Sequence, residues 1–148
     1  MPASNFTATI AAWSAKTAAQ LDDGGRRVVY EILRRVIERS PIGDPEWPEH
    51  SGQLKGNWEV SSDAPTYSYD ITLLDENGDE TLLRGYQVID AIRFDKNYHI
   101  FIANHVPYAV SIEYGSSPGK APEGMVRVTL AEFAQIVNEV FVLGGGAP

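Results

Sequence analysis

Residues 26–39 read RRVVYEILRRVIER, and they carry the strongest structural signal in the chain. The apolar positions recur at helical spacing and form one stripe: Val28, Val29, Ile32, Leu33, Val36 and Ile37. The charged positions Arg27, Glu31, Arg34 and Glu38 lie on the opposite face. An apolar stripe opposed by charge is typical of a surface helix that buries one side. The stretch therefore predicts an amphipathic helix packed on a core.

The helical pattern extends towards the N-terminus, over residues 5–39 as a whole. Gly24 and Gly25 interrupt it, because glycine disfavours the interior of a helix. Asp22 and Asp23 precede this pair, and short acidic side chains are favoured caps at a helix start. We expect two helical pieces that are broken near the glycines.

Pro41 ends the helix, and residues 40–56 follow as a predicted irregular arm. The arm contains Pro41, Pro45 and Pro48 together with three glycines, a composition that disfavours regular structure. Long loops are uncommon in small domains and are often functional. Trp47 lies inside the arm, where it either folds back onto the domain or anchors a partner.

The remaining chain alternates between strand-like and helix-like patterns. Strands are predicted at 57–61, 67–74 and 99–103, a hairpin turn at Asn77-Gly78, and a short helix at 106–114. Residues 82–94 fit a helix or a strand. Thr129 and Glu132 have capping-box spacing and predict the start of the last helix, which is followed by a flexible tail at 143–148.

These elements predict one α+β domain over residues 1–148, without an internal repeat. It has a long N-terminal helix, a small and mostly antiparallel sheet, a short helix, a C-terminal helix and the irregular arm. The chain has 148 residues, of which 43% are apolar, and this is enough for one core.

The composition excludes several classes of protein. The net charge is -8, with a pI near 4.8, which disfavours gripping nucleic acid over the whole surface but is compatible with the wall of a DNA channel. The absence of cysteine excludes disulfides and thiolate metal sites. There is no signal-peptide pattern and no membrane-length apolar run. We expect a soluble protein that is made in a cytoplasm.

Catalytic motifs are missing. The three histidines, at 50, 99 and 105, show no HExxH spacing, and no GxSxG motif is present. The sequence GSSPGK at 115–120 lacks the register of a phosphate-binding loop, and Pro122 disfavours the helix that should follow. We expect no catalytic residue, no cofactor and no metal. A small hydrolase or ligand-binding domain that uses His50, His99 or His105 is the alternative from a different class.

The helix at 26–39 is locally basic in an acidic protein. Arg27 and Arg34 either belong to a solvated face balanced by glutamates at helical spacing, or dock on an acidic surface of an identical neighbour. The second interpretation suits a ring, because head-to-tail packing joins two different surfaces of one molecule.

Several short segments occur in the order typical of one protein family. They are SPIGDP at 40–45 with GQLKGNW at 52–58, IANHVPYA at 102–109, IEYG at 112–115, and APEGMVR at 121–127. These segments resemble the tail-completion or neck proteins of long-tailed bacteriophages, which show a Pro-Val/Ile turn, then Gly-x-Leu/Phe-Arg/Lys-x-Asn/Ser-Trp, Asn-x-x-Pro-Tyr-Ala and aliphatic-Glu-aromatic-Gly. The arm around Trp47 departs from the shorter members.

The resemblance implies an assembly role in the connector between head and tail, without a cofactor. The partners would be the chain itself in a ring, head–tail connector or adaptor proteins, and a tail terminator or tail tube. DNA would pass through the lumen without specific binding, and no membrane would be involved. The chain would reside in the virion neck, and in the host cytoplasm during assembly. A tail terminator or head–tail adaptor is the nearby alternative.

Two groups of residues are candidates for this role. The candidate interface residues are Trp47, Arg27, Arg34, Glu113, Tyr114 and Met125. The motif residues expected to shape the architecture are Pro41, Gly52, Leu54, Trp58, Asn104, Pro107, Tyr108, Gly115, Pro122 and Gly124. Among the first group, Glu113 is expected to hydrogen-bond a neighbouring loop.

Overall fold

A computed structural model describes residues 3–43, 46, 48–94, 99–115, 121 and 123–143, and it gives residues 3–7, 13, 14, 16 and 143 by their backbone alone. In chain order the elements are α1 (Ala3–Arg39), α2 (Gln53–Gly56), β1 (Glu59–Ser62), α3 (Asp79–Asp90), β2 (Ile100–Ala103), α4 (Ala109–Glu113), α5 (Val126–Ala131) and α6 (Phe133–Asn138). A 3₁₀ turn covers Pro48–His50, and a π-helical turn covers Glu139–Leu143. The arrangement is α+β, which confirms the predicted class.

Helix α1 runs through Gly24 and Gly25 without a break, so the predicted interruption is wrong. The glycines are needed for packing. A Cβ at Gly24 would overlap the Phe141 ring, and one at Gly25 would lie 2.8 Å from Phe94 Cβ. Asp22 does not cap a new helix, because its carboxylate accepts a hydrogen bond from the Phe94 amide at 2.6 Å.

The arm at 40–56 is more regular than its composition suggests. Its second half contains the 3₁₀ turn and α2, and Leu54 of α2 is buried in the core. The carbonyl of Gly52 accepts hydrogen bonds from the amides of Gly56 at 2.8 Å and Asp75 at 3.1 Å. These long-range contacts override the local signal of proline and glycine. The prediction of an irregular arm is therefore wrong for this half.

The sheet has two antiparallel strands, with Glu59 of β1 opposite Ala103 of β2. The strands predicted at 57–61 and 99–103 are confirmed with small shifts of their ends. The strand predicted at 67–74 is not formed. Instead, the Asn57 side chain hydrogen-bonds the backbone of Asp70. It accepts from the Asp70 amide at 2.8 Å and donates to the Asp70 carbonyl at 3.0 Å.

Helix α3 replaces the predicted hairpin at Asn77-Gly78. Gly78 has φ 83° and immediately precedes the helix. The Asp75 carboxylate accepts hydrogen bonds from the Gly78 amide at 2.9 Å and from the Thr81 amide at 2.8 Å. Asp75 thus accepts hydrogen bonds from amides at the start of the helix. Residues 82–94 were predicted as a helix or a strand, and the helix is confirmed as far as Asp90.

The C-terminal helices begin earlier than predicted. Thr129 lies inside α5, where its hydroxyl donates to the Met125 carbonyl at 2.6 Å and accepts from Arg39 at 2.8 Å. It is therefore not the N-cap of the last helix. The helix predicted at 106–114 is confirmed as α4, and of the predicted tail only Leu143 lies within the described residues.

Helix α1 contributes to two clusters of buried side chains. The larger cluster comprises Leu33, Val36, Ile37, Leu54, Trp58, Val60, Ile89, Val106, Ala109, Ile112 and Met125. The smaller comprises Val28, Ile136 and Val140, and joins α1 to the C-terminal helical segment. The apolar stripe predicted on this helix is the face that enters both. Within the described ranges, no helix combines the length and the apolar character that crossing a bilayer would require.

Candidate protein-interaction site

The motif segments meet at one place in the fold, which we call the motif junction (Ser40, Trp58, Asn104, Glu113 and Met125). The Trp58 indole nitrogen donates to the Ser40 hydroxyl at 2.7 Å. That hydroxyl donates to the Val36 carbonyl at 2.7 Å and lies 3.2 Å from the Met125 sulfur. Trp58, Ser40 and Met125 are all buried. The end of α1, the start of β1 and the start of α5 are thereby joined.

A second set of contacts joins α2 to the turn after β2. The Asn104 side-chain amide donates to the Leu54 carbonyl at 2.7 Å, and its carbonyl accepts from the Val106 amide at 3.2 Å. The Tyr108 hydroxyl lies 3.0 Å from Gln53 Oε1 and donates to it. Desolvation by burial raises the pKa of Tyr108, so this hydroxyl stays protonated at neutral pH. The aromatic and amide residues of the two motifs therefore bind each other.

Glu113 closes the junction. Its carboxylate accepts hydrogen bonds from the amides of Met125 at 2.7 Å, Val126 at 2.9 Å and Arg127 at 2.9 Å. Gly124 has φ 87°, and a Cβ there would overlap the carboxylate. Burial raises the pKa of Glu113, but the three amides and the Arg127 guanidinium outweigh it and hold the pKa below its usual range. The carboxylate is ionised at neutral pH and fixes the start of α5.

Two of the predicted interface residues are thus internal. Met125 is 1% exposed and belongs to the larger core cluster, so its expected place at an interface is wrong for this structure. Glu113 binds a loop of its own chain, as expected of a residue that hydrogen-bonds a neighbouring loop. Its carboxylate is fully engaged there, so it is unsuited to bind a partner. A sequence pattern does not predict these positions, because the contacts that bury the two side chains come from residues a dozen or more positions away.

An apolar groove of about 370 Å³ lies beside the junction. Its lining includes Trp58, Ile102, Ala109, Val110, Tyr114 and Met125. Val110 is 67% exposed and Tyr114 is 68% exposed at its rim. The Arg127 guanidinium lies 4.8 Å from the centre of the Tyr114 ring. Exposed aromatic and aliphatic groups around a preformed apolar groove suit contact with another protein.

The basic face of α1 is mostly paired within the chain. Arg34 binds Glu31 and Glu38, which favours the solvated-face interpretation for this residue. Arg27 makes one long ion pair with Asp23, at 3.9 Å, and its side chain is 44% exposed. It is the better placed of the two predicted arginines for an outside partner.

A charge network that the sequence pattern did not predict joins α1 to the C-terminal segment. Arg35 binds Glu31 at 2.9 Å, Glu132 at 2.6 Å and Glu139 at 3.3 Å. Arg39 binds the other oxygen of Glu132 at 2.7 Å. The local pairing of Glu31 with Arg35 was readable from helical spacing. The pairing with residues almost a hundred positions away was not.

The other predicted residues have simpler positions. Gly115 has φ 73° and follows α4, and its amide donates to the Ile112 carbonyl at 3.1 Å. Pro41 follows the end of α1, and Pro107 lies on the surface before Tyr108. Trp47 and Pro122 lie outside the described residues.

The three histidines differ in their surroundings. His50 and His99 are exposed. His105 lies beside the Tyr67 ring at 5.7 Å, and its Nε2 atom is buried with no hydrogen-bond partner among the described residues. Among the described residues, no group of three or more His, Cys, Asp or Glu side chains is arranged to hold a metal ion.

The site is therefore a hydrogen-bonded junction of motif residues next to an apolar groove with an exposed rim. Comparisons with protein-family models, with curated proteins and with solved structures gave no match.

Proposed function

We propose that this chain is a structural protein of the neck of a tailed bacteriophage, where it joins the tail to the head as part of a ring. The observation that carries the proposal is the convergence of its motifs. Segments that resemble the tail-completion family, at 40–58, 102–115 and 121–127, meet at the motif junction although the first lies far from the other two in the chain.

The convergence bears on function because chance matches have no reason to meet. The hydrogen bonds Asn104–Leu54 and Glu113–Met125 each link two different segments. In each case the residue that carries the resemblance supplies the donor or acceptor. The resemblance therefore has a structural meaning: it describes one local architecture, and a protein that shares it would share the surface built on it.

The form of that surface supports an assembly role. Val110 and Tyr114 project from α4, and the Glu113 carboxylate locks this helix to α5. A rigid apolar surface loses little conformational entropy when it binds, which favours stable contacts. We place the chain in contact with copies of itself and with connector or adaptor proteins on one side, and a tail terminator or tail tube on the other. DNA would pass through the lumen without specific binding.

A tail terminator or head–tail adaptor subunit is a neighbouring role that would use the same surface with other partners. The net charge of -8 suits either position, because an acidic wall repels DNA phosphates rather than binding them.

The test is to delete the gene from the phage that carries it and examine the particles by electron microscopy. The expected result is DNA-filled heads together with detached tails, and restoration of joined particles by the wild-type gene. The polypeptide should also be present in purified wild-type particles by mass spectrometry. Particles without this polypeptide would refute the proposal.

A pair of variants links this outcome to the groove. Val110→Glu places a charge at the groove rim and should fail to restore joined particles. Leu83→Glu is the matched control, because Leu83 is 58% exposed on α3 and does not line the groove. If both variants restore assembly equally well, the groove has no part in it.

A further inference from the structure

The C-terminal part of the chain packs on α1 through a cluster of its own. We call α6 and the π-helical turn after it the C-terminal latch (residues 133–143). Ile136 and Val140 of the latch are buried together with Val28 of α1. Among the described residues, no side chain of the latch belongs to the larger core cluster, which the start of α5 joins through Met125. The latch and the rest of the domain are therefore stabilised by separate sets of apolar contacts.

The two clusters differ in size. The larger has eleven buried side chains, whereas the smaller has three. Because apolar stabilisation grows with the area removed from water, the smaller cluster contributes less to the free energy of unfolding. Parts of a protein that are held by few buried apolar contacts open at a lower free energy than its core does.

The latch is joined to the domain at Glu132, which separates α5 from α6 with φ -90° and ψ 1°. The Glu132 carboxylate accepts hydrogen bonds from Arg35 at 2.6 Å and from Arg39 at 2.7 Å. Among the described residues, the latch itself makes one ion pair with α1, from Glu139 to Arg35 at 3.3 Å, and the Glu139 side chain is 39% exposed. Residues at the ends of helices commonly act as hinges. Glu132 is thus a fixed pivot, and the latch beyond it is held by fewer polar contacts.

The latch also borders open space. A cleft of about 460 Å³ is lined by Glu139 and Val140 of the latch, by Arg27 and Tyr30 of α1, and by Asp90 of α3. On the side of this cleft the latch is not close-packed against α3. Movement of the latch towards the cleft therefore does not require other side chains to be displaced first.

We propose that the C-terminal latch opens from α1 as one unit while the larger core stays folded, and that it turns about Glu132. When closed, the latch covers the apolar surface of α1 at Val28 and Ile32, so its opening controls access to that surface. An apolar strip of this kind binds an amphipathic helix, and the latch itself shows the chemistry that fits it. Opening is a property of the free chain and does not depend on the neck assignment.

Amide hydrogen exchange of the intact protein tests whether the latch opens separately. The amides of Val137 and Val140 should exchange at least about tenfold faster than those of Leu33 and Val36, which belong to the larger cluster. Equal rates in the two sets would overturn the proposal. Fraying at the end of a helix also speeds exchange, so two matched valine variants separate fraying from the opening of a unit.

Val60→Ala removes two methyl groups from the larger cluster, so the amides of Leu33 and Val36 should exchange about tenfold faster or more. The latch amides should keep their rates within about twofold, because the larger core is intact both before and after the latch opens. Equal acceleration of both sets would show that the latch opens only when the whole protein unfolds, which overturns the proposal.

Val140→Ala removes the same two methyl groups from the smaller cluster. The Val137 amide should then exchange about tenfold faster, because the closed state is weakened relative to the open one. An unchanged rate at Val137 would mean that the chain end frays residue by residue, and the latch would not be a unit.

A cross-link gives a second test, because the chain has no cysteine of its own. In the double variant Arg35→Cys with Glu139→Cys, a short bis-maleimide linker would hold the latch on α1, since these two side chains are paired. The Val137 amide of the linked protein should exchange at least about tenfold more slowly than in the same variant capped with a monofunctional maleimide. Urea unfolding checks that both forms are folded. Equal exchange in linked and capped protein would contradict opening of the latch.

Discussion

The indole nitrogen of Trp58 donates a hydrogen bond of 2.7 Å to the hydroxyl of Ser40. Ser40 directly follows the long helix and Trp58 directly precedes the first strand, so this bond fixes how the helix and the sheet meet. The same hydroxyl lies 3.2 Å from the Met125 sulfur, at the start of α5. One buried serine therefore contacts three parts of the chain. In the sequence, this motif was recognised by Pro41, the residue that follows Ser40.

Ser40→Ala should destabilise the fold by about 1–3 kcal/mol, because the buried indole N–H loses its acceptor. The measurement is urea unfolding followed by tryptophan fluorescence, with Ser62→Ala as the control, since Ser62 is exposed. The double variant Ser40→Ala with Trp58→Phe should cost less than the sum of the single changes, because no unpaired donor remains. Additive costs would show that the hydrogen bond has no coupling energy.

Glu113→Gln should lower the free energy of unfolding by about 1.5–3 kcal/mol, because a charged acceptor of three backbone amides is lost. Glu123→Gln is the matched control, since Glu123 is an exposed acid in the same region of the chain. Amide hydrogen exchange at Met125, Val126 and Arg127 should accelerate in the first variant alone. Unchanged exchange at these amides would contradict the role of Glu113 as the lock on α5.

Acid should weaken the attachment of the C-terminal segment to α1. Hydrogen bonds from Arg34 hold the pKa of Glu31 below its usual range, and hydrogen bonds from Arg35 and Arg39 do the same for Glu132. A carboxyl whose pKa is lower in the folded state stabilises the fold above its unfolded pKa, near 4.3, and this stability is lost as the pH falls through the folded pKa. Stability should therefore be retained at neutral pH and decline below about pH 4–5.

The Arg35→Met variant tests the direction of this pH dependence. It removes the cation that binds both glutamates, so the difference in urea midpoint between wild type and variant should be largest near neutral pH and shrink as the pH falls. Arg27→Met is the control, because its single long ion pair is exposed and such pairs contribute little. A difference for Arg35→Met that stays constant with pH would argue against the network.

Gly24→Ala should destabilise the protein, although alanine normally stabilises a helix relative to glycine by roughly 1 kcal/mol. The added methyl overlaps the Phe141 ring, and overpacking typically costs about 1–3 kcal/mol. Combining it with Phe141→Ala removes the clash, so in that background Gly24→Ala should become neutral or favourable. Thermal unfolding of the wild type, the two single variants and the double variant shows whether Gly24→Ala stabilises or destabilises the protein in each background. A stabilising effect of Gly24→Ala in the wild-type background would mean that the helices do not approach this closely.

The sequence by itself determined those features that depend on neighbours a few residues apart. The apolar stripe of 26–39 specifies a helix and the face it buries, because its period matches the helical repeat. The strand at 99–103 and the helix at 106–114 follow from equally local patterns. The α+β class follows in turn from the order of these elements, and the motif order alone led to the neck hypothesis.

Only the tertiary structure decided which residues meet. Gly24 and Gly25 have a low helix propensity. They nevertheless lie inside α1, because Phe141 and Phe94 occupy the space where a Cβ atom would be. Residues 67–74 have a strand pattern, yet Asn57 captures the backbone of Asp70 and no ladder forms. Met125 and Tyr114 come from similar short motifs, and one is buried while the other is 68% exposed. The physical reason is common to all three cases: a side chain's partner lies 13 or more positions away in the chain, and only the folded chain brings the two together.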